Sequence, residues 1–407
     1  MSMLTDLFIK LVKYDTGSDS RSATYPSTAK QLDFAQVLAE ECRKIGLSDV
    51  KVDKHGYVTA TLPSNLPGGA SAPTIGFLAH MDTSQDVSGT NVSPRIVEAY
   101  DGGDIPLNGR ISLTPAEFPS LKKYIGQDLI VTDGNTLLGA DNKAGIAEIL
   151  TAMAQMLADP TIPHGEIRIA FTPDEEIGRG VEHFDVKAFG CEFAYTLDGG
   201  EIGEIVTESF NASQAKFMVT GKSVHPGAAK GIMINAALIA GEIIEAMPKD
   251  ETPATTQGYE GFYHLSSVRG GVESAELIYI LRDHDFAILK KREEFVTALT
   301  EKLNKKYGEG TVALELTEQY LNMHEILKDQ PEIAEIAKNA IVEAGITPIV
   351  RPIRGGTDGS RLTFMGLPCP NIFAGGHNAH GPYEYVPIPS MEAAVQVVIN
   401  IAKSVVK

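Results

Sequence analysis

The sequence TLLGADNKAG, at residues 136–145, places Asp141 in a turn bounded by glycines. A strand-like apolar run, DLIVT, precedes the turn at residues 128–132, and a helical run, IAEILTAMAQML, follows it at residues 146–157. Open α/β sheets commonly carry their functional groups in such turns between a strand and a helix. Asp141 could equally cap the helix, as aspartate often does. The rest of the chain decides between these two interpretations.

Length and composition limit the class of protein. The chain has 407 residues, enough for two domains or for one large domain with an insertion. Its formal net charge of −18 argues against nucleic acid or an anionic membrane as a partner. Its three cysteines form no C-x-x-C pair, which indicates a reducing compartment and excludes a disulfide framework. We see neither a signal peptide nor an apolar run of roughly 18 residues that could span a membrane, and therefore expect a cytoplasmic protein.

The pattern of strands and helices predicts two domains. Residues 1–210 and 321–407 alternate between strands and helices, which predicts an α/β catalytic domain on a mainly parallel sheet. Residues 211–320 instead have the order β-α-β-β-α-β of a ferredoxin-like unit, and we interpret them as an inserted domain. Residues 84–127 show little helical or strand period, and a stretch of this length is expected to be a functional insertion.

Carboxylates and histidines follow most of the strands predicted for the α/β domain. They are His80 and Asp82, Asp141, Glu175 and Glu176, Asp198, and His377 and His380. The carboxyl ends of parallel strands meet at one edge of a sheet, so these groups can converge although they are distant in the chain. Two histidines and several carboxylates are typical of a two-metal site with a bridging carboxylate. Nitrogen and oxygen ligands without thiolate favour zinc, cobalt or manganese.

Spacing suggests separate roles within this set. His80 and Asp82 are two residues apart in an extended segment and point the same way, so the aspartate can support a metal-binding histidine from behind. Glu175 and Glu176 are adjacent and point apart, so one can bind metal while the other stays free as a base. Asp141 stands alone in its turn, which makes it the natural bridging ligand.

The strand ends carry the motifs LAHMDT, LLGADNKAG, TPDEEIG, TLDGG and GGHNAHG. In this order they resemble the dizinc exopeptidase family, which includes glutamate-carboxypeptidase-type enzymes, aminoacylases and succinyl-diaminopimelate desuccinylase. Further runs resemble its tripeptide aminopeptidases over nearly the whole chain: VHPGAAKG, EGFYHL, PIRGGTDGSRL and GLPCPNIFAGG. The resemblance implies a catalytic domain on a mainly parallel sheet and makes residues 211–320 its lid or dimerisation domain.

The resemblance also implies that each subunit binds two Zn²⁺ ions, with Co²⁺ or Mn²⁺ as alternatives. The implied metal ligands are His80, Asp141, Glu176, Asp198 and His380. Asp141 would bridge the ions, Asp82 would orient the histidine before it, and Glu175 would be the general base. His377 is a rival for the last ligand position, but the family motif places the ligand at the His-Gly pair, which is His380. A cis peptide bond after Asp141 is a further expectation.

Three residues outside the metal set are candidate substrate contacts. His225, in the run GKSVHPG, resembles the family histidine that helps to bind the oxyanion, although it could be only a turn residue beside Pro226. Arg282 and Arg354 could clamp a peptide carboxylate, because a guanidinium group binds a carboxylate bidentately. Arg354 lies in a glycine-rich turn, which favours it, whereas Arg282 ends a strand of the inserted domain and could be a surface charge.

The resemblance implies an aminopeptidase that releases the N-terminal residue from tripeptides. A dipeptidase, a carboxypeptidase or an N-acyl amino acid deacylase would share the same metal site. A non-catalytic scaffold should have lost a ligand or Glu175, whereas every expected position is filled. The H-E-x-x-H motif of mononuclear metalloproteases is absent from the sequence. An edge strand of the inserted domain could pair with a second copy and give a homodimer.

Overall fold

The computed structural model describes residues 2–68 and 70–407, and the chain divides there into two units. The first unit consists of Met1–Thr207, Glu325–Arg351 and Thr357–Lys407. The second consists of Glu208–His324 and Pro352–Gly356. The sequence predicted an inserted domain at residues 211–320 and assigned residues 352–356 to the catalytic domain. In the structure, residues 352–356 belong to the second unit. The role of this unit as a lid stays a prediction.

An eight-stranded sheet organises the first unit. Its strands lie in the order Ser48–Val52, Val58–Leu62, Ile167–Thr172, Ile75–His80, Phe193–Gly199, Asn371–Phe373, Glu204–Val206 and Ile349–Val350. The four strands from Ile167–Thr172 to Asn371–Phe373 pair in parallel, and their outer neighbours on both sides run antiparallel to them. The mainly parallel α/β sheet that the sequence predicted is therefore confirmed.

Apolar clusters cover both faces of this sheet. Phe77 and Ala79 belong to the larger cluster, whereas Leu78 between them belongs to a smaller cluster that includes Phe189. Successive residues of a strand point to opposite faces, so the strand Ile75–His80 is buried at every position. Such complete burial explains why this strand reads as a continuous apolar run rather than as an alternating one.

Helices of the first unit supply most of the larger cluster. Those that do so are Met3–Leu11, Ala29–Ile45, Ala140–Ala158, Pro331–Glu343 and Ile388–Ser404. The short helices Val186–Phe189 and Asp358–Phe364 contribute to the smaller cluster instead, and the helix His324–Leu327 spans the chain boundary between the units. Helix Ala140–Ala158 packs against two of the central parallel strands and is buried over most of its length. Within the described part of the chain, none of the helices combines the length and the apolar character that crossing a membrane requires.

The strand before Asp141 is not part of the main sheet. Strand Leu129–Val131 lies between Arg95–Val97 and Tyr385–Pro387 in a separate three-stranded antiparallel sheet. The prediction that Asp141 follows a strand of the parallel sheet was therefore wrong. A run of five apolar and polar residues has too little period to show which sheet it joins.

The segment 84–127 is more regular than its sequence suggested. It contains Arg95–Val97, Ile105–Pro106, Ser112–Leu113 and the 3-10 helix Pro119–Tyr124. Its apolar side chains pack with those of the three-stranded sheet in a cluster that includes Tyr100, Leu113, Leu121 and Tyr385. Because these strands have only two or three residues each, their period was too short to recognise.

The second unit has the predicted β-α-β-β-α-β order. Its four strands lie in the order Phe262–Gly270, Ser274–Asp283, Asn211–Thr220 and Val312–Tyr320, and every neighbouring pair is antiparallel. The helices Ala236–Ala246 and Phe286–Tyr307 pack against this sheet and share one apolar cluster with it. Asn235 and Asp285 cap the two helices with their side chains, which fixes where each helix begins. This is the arrangement of a ferredoxin-like unit.

Candidate metal centre

The five predicted metal ligands lie close together in the first unit. His80 Nε2 lies 2.9 Å from Asp141 Oδ1 and 3.5 Å from Asp198 Oδ1. His380 Nε2 lies 3.3 Å from Asp141 Oδ2 and 2.9 Å from Glu176 Oε2. The side chains form two groups of three, in each of which the ligand atoms lie within 4.8 Å of one another. Asp141 belongs to both groups and turns one oxygen to each histidine, as a bridging carboxylate must.

The four central strands bring four of these side chains to one edge of the sheet. His80 is the last residue of its strand, and Asp198 lies one residue before the end of its own. Glu176 lies in the single-turn 3-10 helix Glu175–Ile177 and His380 in a turn, and these two segments follow the other two strands. Asp141 comes instead from the first turn of the helix that packs on the sheet. The ends of the parallel strands and the start of one helix therefore bring these five side chains together.

The backbone around Asp141 has an uncommon conformation. The Asp141–Asn142 peptide bond is cis, as the family resemblance implied. Gly139 before it has a φ of 81°, a left-handed conformation that favours glycine. A Cβ atom on Gly145 would lie 2.2 Å from the carbonyl oxygen of Leu197, so only glycine lets the helix approach the strand this closely. These two glycines place the aspartate beside the ligands that the sheet supplies.

Glu384 supports the same turn and was not identified from the sequence. Its Oε2 accepts the backbone N–H groups of Leu138 and Gly139, each at 2.7 Å, and its Oε1 accepts that of Asp141 at 3.0 Å. Burial raises the pKa of Glu384 to about 7. The only signal in the sequence is an acidic residue four positions after His380, and such a signal is too weak to single it out.

Asp82 connects two parts of the site. Its Oδ1 lies 3.3 Å from His80 Nδ1, behind the nitrogen that faces the ligand group. The same carboxylate accepts the backbone N–H groups of Glu175 and Glu176, at 3.0 and 3.2 Å. Burial lowers the pKa of His80, but the carboxylates of Asp198, Asp141 and Asp82 outweigh it and raise that pKa well above its usual value.

The turn that carries Glu175 and Glu176 is held from the other side by Asp174. The carboxylate of Asp174 accepts the backbone N–H of Ser27 at 2.6 Å and the side-chain amide of Gln31 at 2.7 Å. The backbone N–H of Asp174 donates in turn to Gln31 Oε1 at 3.0 Å. Asp174 was not predicted from the sequence, because its partners lie more than a hundred residues away and follow no motif.

The electrostatics of the site fit bound cations. Glu176 Oε1 is buried and has no hydrogen-bond partner within the described residues. Burial, with the Asp141 charge adding to it, raises the pKa of Glu176 to about 7, and burial also raises that of Glu175 well above its usual value. Hydrogen bonds to Asp141 and Glu176 raise the pKa of His380 to about 11. Buried carboxylates with an unpartnered oxygen are the donors that divalent metals require.

His377, the rival for the last ligand position, lies outside both ligand groups. Its Nε2 is hydrogen-bonded to the hydroxyl of Tyr124 at 2.7 Å. Its ring stacks on Tyr385 with a centroid separation of 4.8 Å and an interplanar angle of 12°. Burial lowers the pKa of His377 to about 4, so the ring is neutral at pH 7. The His377 side chain therefore links Tyr124 of the segment 84–127 to Tyr385.

The three candidate substrate contacts all belong to the second unit. The exposed His225 accepts the backbone N–H of Gly227 through Nδ1 at 3.1 Å, which is the bond expected of a turn residue. The guanidinium group of Arg282 lies 5.0 Å from the ring centroid of Tyr320 and donates to Gln319 Oε1 at 2.9 Å. Both residues stay predictions as substrate contacts.

Arg354 has the most unusual environment of the three. Its guanidinium group lies 5.6 Å from the ring centroid of Phe210 and 5.5 Å from that of Phe262. Its Nη2 donates to Thr256 Oγ1 at 2.6 Å, whereas its buried Nη1 has no hydrogen-bond partner within the described residues. A buried guanidinium donor without a partner is costly, which makes Arg354 the strongest of the three candidates for a contact with a substrate acceptor.

The parallel sheet, the two ligand groups at its carboxyl edge and the inserted ferredoxin-like unit together define a class of metallopeptidase. Residues 132–404 match the model of peptidase family M20/M25/M40, and the chain belongs to this family. It is therefore an enzyme that hydrolyses peptide bonds.

Relatives that match this chain over nearly its full length indicate which group of the family it resembles. The chain is 55% identical over 405 residues to Peptidase T of Caldanaerobacter subterraneus, covering 99% of this chain and 98% of the relative. It is 54% identical over 403 residues to Peptidase T of Halothermothrix orenii, covering 98% of each chain. The crystal structure of aminopeptidase PepT from Bacillus cereus has the same fold, with a TM-score of 0.76, 24% identity and coverage of 99% and 98%. The resemblance drawn from the sequence motifs is thus confirmed.

Proposed function

We propose that the chain is a metal-dependent aminopeptidase that releases the N-terminal residue from tripeptides. The observation that carries this proposal is the carboxylate of Asp141, shared between two ligand groups in a chain that is 55% identical to a Peptidase T over nearly its whole length. The shared carboxylate supports a two-metal hydrolase, and the relationship supports the substrate class. We further propose a cytoplasmic location and a homodimer that pairs through the second unit.

Each ligand group would hold one divalent cation. His80, Asp141 and Asp198 would bind the first, and Asp141, Glu176 and His380 would bind the second. The nitrogen and oxygen donors suit Zn²⁺, with Co²⁺ and Mn²⁺ as alternatives. When bound, the cations supply Lewis-acid activation of the peptide carbonyl and of the attacking water.

Glu175 is the general base of this proposal. It takes a proton from the water as the water oxygen attacks the carbonyl carbon, and it returns that proton to the amine nitrogen as the C–N bond breaks. Its backbone N–H is held by the Asp82 carboxylate at 3.0 Å, and the next residue, Glu176, belongs to a ligand group. In this proposal Asp82 orients His80, whose Nδ1 is hydrogen-bonded to the Asp82 carbonyl oxygen at 3.1 Å and lies 3.3 Å from its carboxylate. The same carboxylate positions the base through its backbone N–H.

Arg354 would bind the C-terminal carboxylate of the substrate. Its guanidinium group packs against the edge-to-face pair of Phe210 and Phe262, and its buried Nη1 has no partner in the described residues. A carboxylate would satisfy that donor and pair with the charge. Arg282 would provide a second clamp, and His225 a donor to the oxyanion of the tetrahedral intermediate.

Substrate analogues test the proposal directly. The metal-loaded enzyme should hydrolyse a tripeptide such as Ala-Ala-Ala to alanine and dialanine, and chelation should abolish the activity until a divalent metal is restored. N-acetylation of the tripeptide should prevent cleavage, because an aminopeptidase requires the free N-terminus. Faster cleavage of the acetylated peptide would indicate a deacylase or a carboxypeptidase, and preference for Ala-Ala would indicate a dipeptidase. Either result would overturn the assignment.

A further inference from the structure

One cavity in the first unit is lined by residues that belong to neither ligand group. It has a volume of about 270 Å³ and opens where strands Ser48–Val52 and Val58–Leu62 meet the segment that includes helix Val186–Phe189. Tyr57, Phe184 and Phe189 form an aromatic floor, and none of the proposed metal ligands lines it. Its volume is just below the roughly 300–1,000 Å³ of sites for drug-sized ligands, so it suits a smaller molecule.

Two side chains of opposite charge line the rim of the cavity and have no partner within the described residues. Asp49 and Lys51 both line the cavity and are exposed, and neither side chain forms an ion pair or hydrogen bond within the described residues. Asp49 has a φ of 51° and lies where a β-bulge interrupts the regular alternation of this strand, and both side chains line the same cavity. Asp53 at the same rim differs, because it accepts backbone N–H groups in its own turn, at 2.8 and 3.0 Å. Arg168 and Asp185 also line the cavity, but Arg168 pairs with Glu166 and Asp185 accepts the backbone N–H of Ala188. Among the described lining residues, Lys51 and Asp49 are therefore a cation and an anion without a partner, beside three aromatic side chains.

The wall of the cavity is hydrogen-bonded to the chain that follows the catalytic turn. The hydroxyl of Tyr57 donates to the carbonyl oxygen of Gly180 at 2.8 Å and accepts the backbone N–H of His183 at 3.2 Å. Both residues lie between the turn Glu175–Ile177 and Phe184, which is itself a wall residue. A molecule packed against Tyr57 and Phe184 would therefore contact the segment that follows Glu175 in the chain.

We propose that this cavity binds a free amino acid with an apolar side chain. The α-carboxylate pairs with Lys51, the α-ammonium group pairs with Asp49, and the side chain packs on Tyr57, Phe184 and Phe189. A zwitterion with an apolar side chain is the small molecule that carries both charges next to an apolar group. Free amino acids are also what the reaction releases, and this identification of the ligand as a product rests on the proposed function. Through Tyr57 the bound amino acid acts as an effector of the peptidase.

Calorimetric titration of the metal-loaded protein with L-leucine tests the proposed site. Lys51→Glu reverses the free cation, and Ala188→Trp fills the cavity from an exposed position on its wall. Each should weaken binding about tenfold or more, since a charge-assisted contact or the apolar packing is lost. Lys54→Glu makes the same charge change at an exposed lysine that does not line the cavity, and it should leave binding unchanged.

Ligand analogues make the test independent of activity. Leucinamide lacks the carboxylate and N-acetyl-leucine lacks the ammonium group, so each should bind about tenfold more weakly than leucine to the wild-type protein. Absence of leucine binding, or equal binding by Lys51→Glu, Ala188→Trp and Lys54→Glu, would overturn the site, because leucine at the metal centre would not respond to these variants. Binding that leaves both kcat and KM unchanged would overturn the effector role. If the proposed peptidase activity were absent, calorimetry would still show whether the cavity binds leucine, so the two proposals can fail separately.

Discussion

The carboxylate of Glu384 accepts the backbone N–H of Asp141 at 3.0 Å, across 243 positions of the chain. Its second oxygen binds two more N–H groups of the same turn. Asp141 is the one residue common to both ligand groups, so Glu384 positions the side chain on which both proposed cations depend.

Replacing Glu384 by glutamine should weaken metal binding. The variant turns an amide N–H₂ donor toward backbone N–H donors, which loses a hydrogen bond and adds repulsion. Residues that orient a metal ligand typically contribute about 10- to 100-fold to metal affinity, and a loss of this size is expected in a competition titration against a chelating dye. Glu148→Gln makes the same change at a buried glutamate of the helix that carries Asp141, and it should keep wild-type affinity. Equal metal affinities in the two variants would show that Glu384 has no such role.

The Glu175→Gln variant should retain its metals and lose turnover. Glutamine occupies the same space but cannot accept the proton from water, and general-base catalysis contributes roughly 10²- to 10⁴-fold. Metal content by elemental analysis and kcat on a tripeptide measure the two effects separately. Glu182→Gln, at an exposed position of the following segment, is the matched control and should keep near-wild-type kcat. A Glu175→Gln enzyme with near-normal kcat would exclude this residue as the base.

Proposed ligands that follow long buried strands could be predicted from the sequence. His80 and Asp198 end strands whose apolar runs of five or more buried residues are plain in the sequence, and one topological rule brings their ends together. The strand before Asp141 has three residues, and nothing in so short a run showed that it belongs to a different sheet. Asp141 was still identified, because its glycine-bounded motif is distinctive.

Residues that act through backbone hydrogen bonds could not be found in the same way. Glu384 and Asp174 each hold a site turn by accepting N–H groups from distant parts of the chain. Backbone donors have no sequence signature, so only the folded chain identifies their acceptor. The environment of Arg354 could not be predicted for a similar reason, since Phe210 precedes one strand of the second unit and Phe262 begins another.

Glu148 should make the protein less stable as the pH rises. Its side chain is fully buried, neither carboxyl oxygen has a partner within the described residues, and burial raises its pKa well above the usual value of 4.5. Between the unfolded and the folded pKa, the folded state binds more protons than the unfolded state, so the free energy of unfolding falls as pH increases. This contribution is fully present below about pH 4.5 and is lost progressively above it.

The Glu148→Gln variant should therefore have a higher Tm than the wild type at pH 8 and a smaller difference at pH 5. Each unit of raised pKa corresponds to about 1.4 kcal/mol, and about 1 kcal/mol shifts the Tm of a large domain by roughly 2 °C or more. Thermal unfolding followed by circular dichroism across this pH range measures the effect. A Tm difference that stays constant with pH would mean that the carboxyl group does not change its ionisation on folding.

His380 and His377 should respond differently to substitution. His380→Ala removes a donor from the group that contains Asp141 and Glu176, so one of the two proposed cations should be lost and activity should fall by at least about 10²-fold. His377→Phe keeps the ring that stacks on Tyr385 and loses only the hydrogen bond to Tyr124, which is worth about 1 kcal/mol of stability. Elemental analysis should find full metal content in His377→Phe, and loss of metal there would make it the ligand instead.

Replacing Arg354 by lysine should weaken substrate binding through loss of the contact with the substrate carboxylate. Arg354→Lys keeps the charge but loses the planar guanidinium that lies against Phe210 and Phe262, together with its buried unpartnered Nη1. KM for a tripeptide should rise about 10- to 100-fold with a smaller change in kcat, since the lost contact serves binding in both ground and transition states. Arg269→Lys, at an exposed arginine of the same unit, should leave KM unchanged.

A tripeptide amide completes a double-mutant cycle with this variant. The amide removes the carboxylate from the substrate side, so the wild-type enzyme should bind it about as poorly as Arg354→Lys binds the free acid. If Arg354 contacts that carboxylate, then combining the variant with the amide should cost little more than either change alone, because the same interaction is removed twice. Penalties that simply add would place Arg354 elsewhere than at the substrate C-terminus. The remaining KM effect would then reflect the packing of Phe210 and Phe262, and Arg282 would be the next clamp to test.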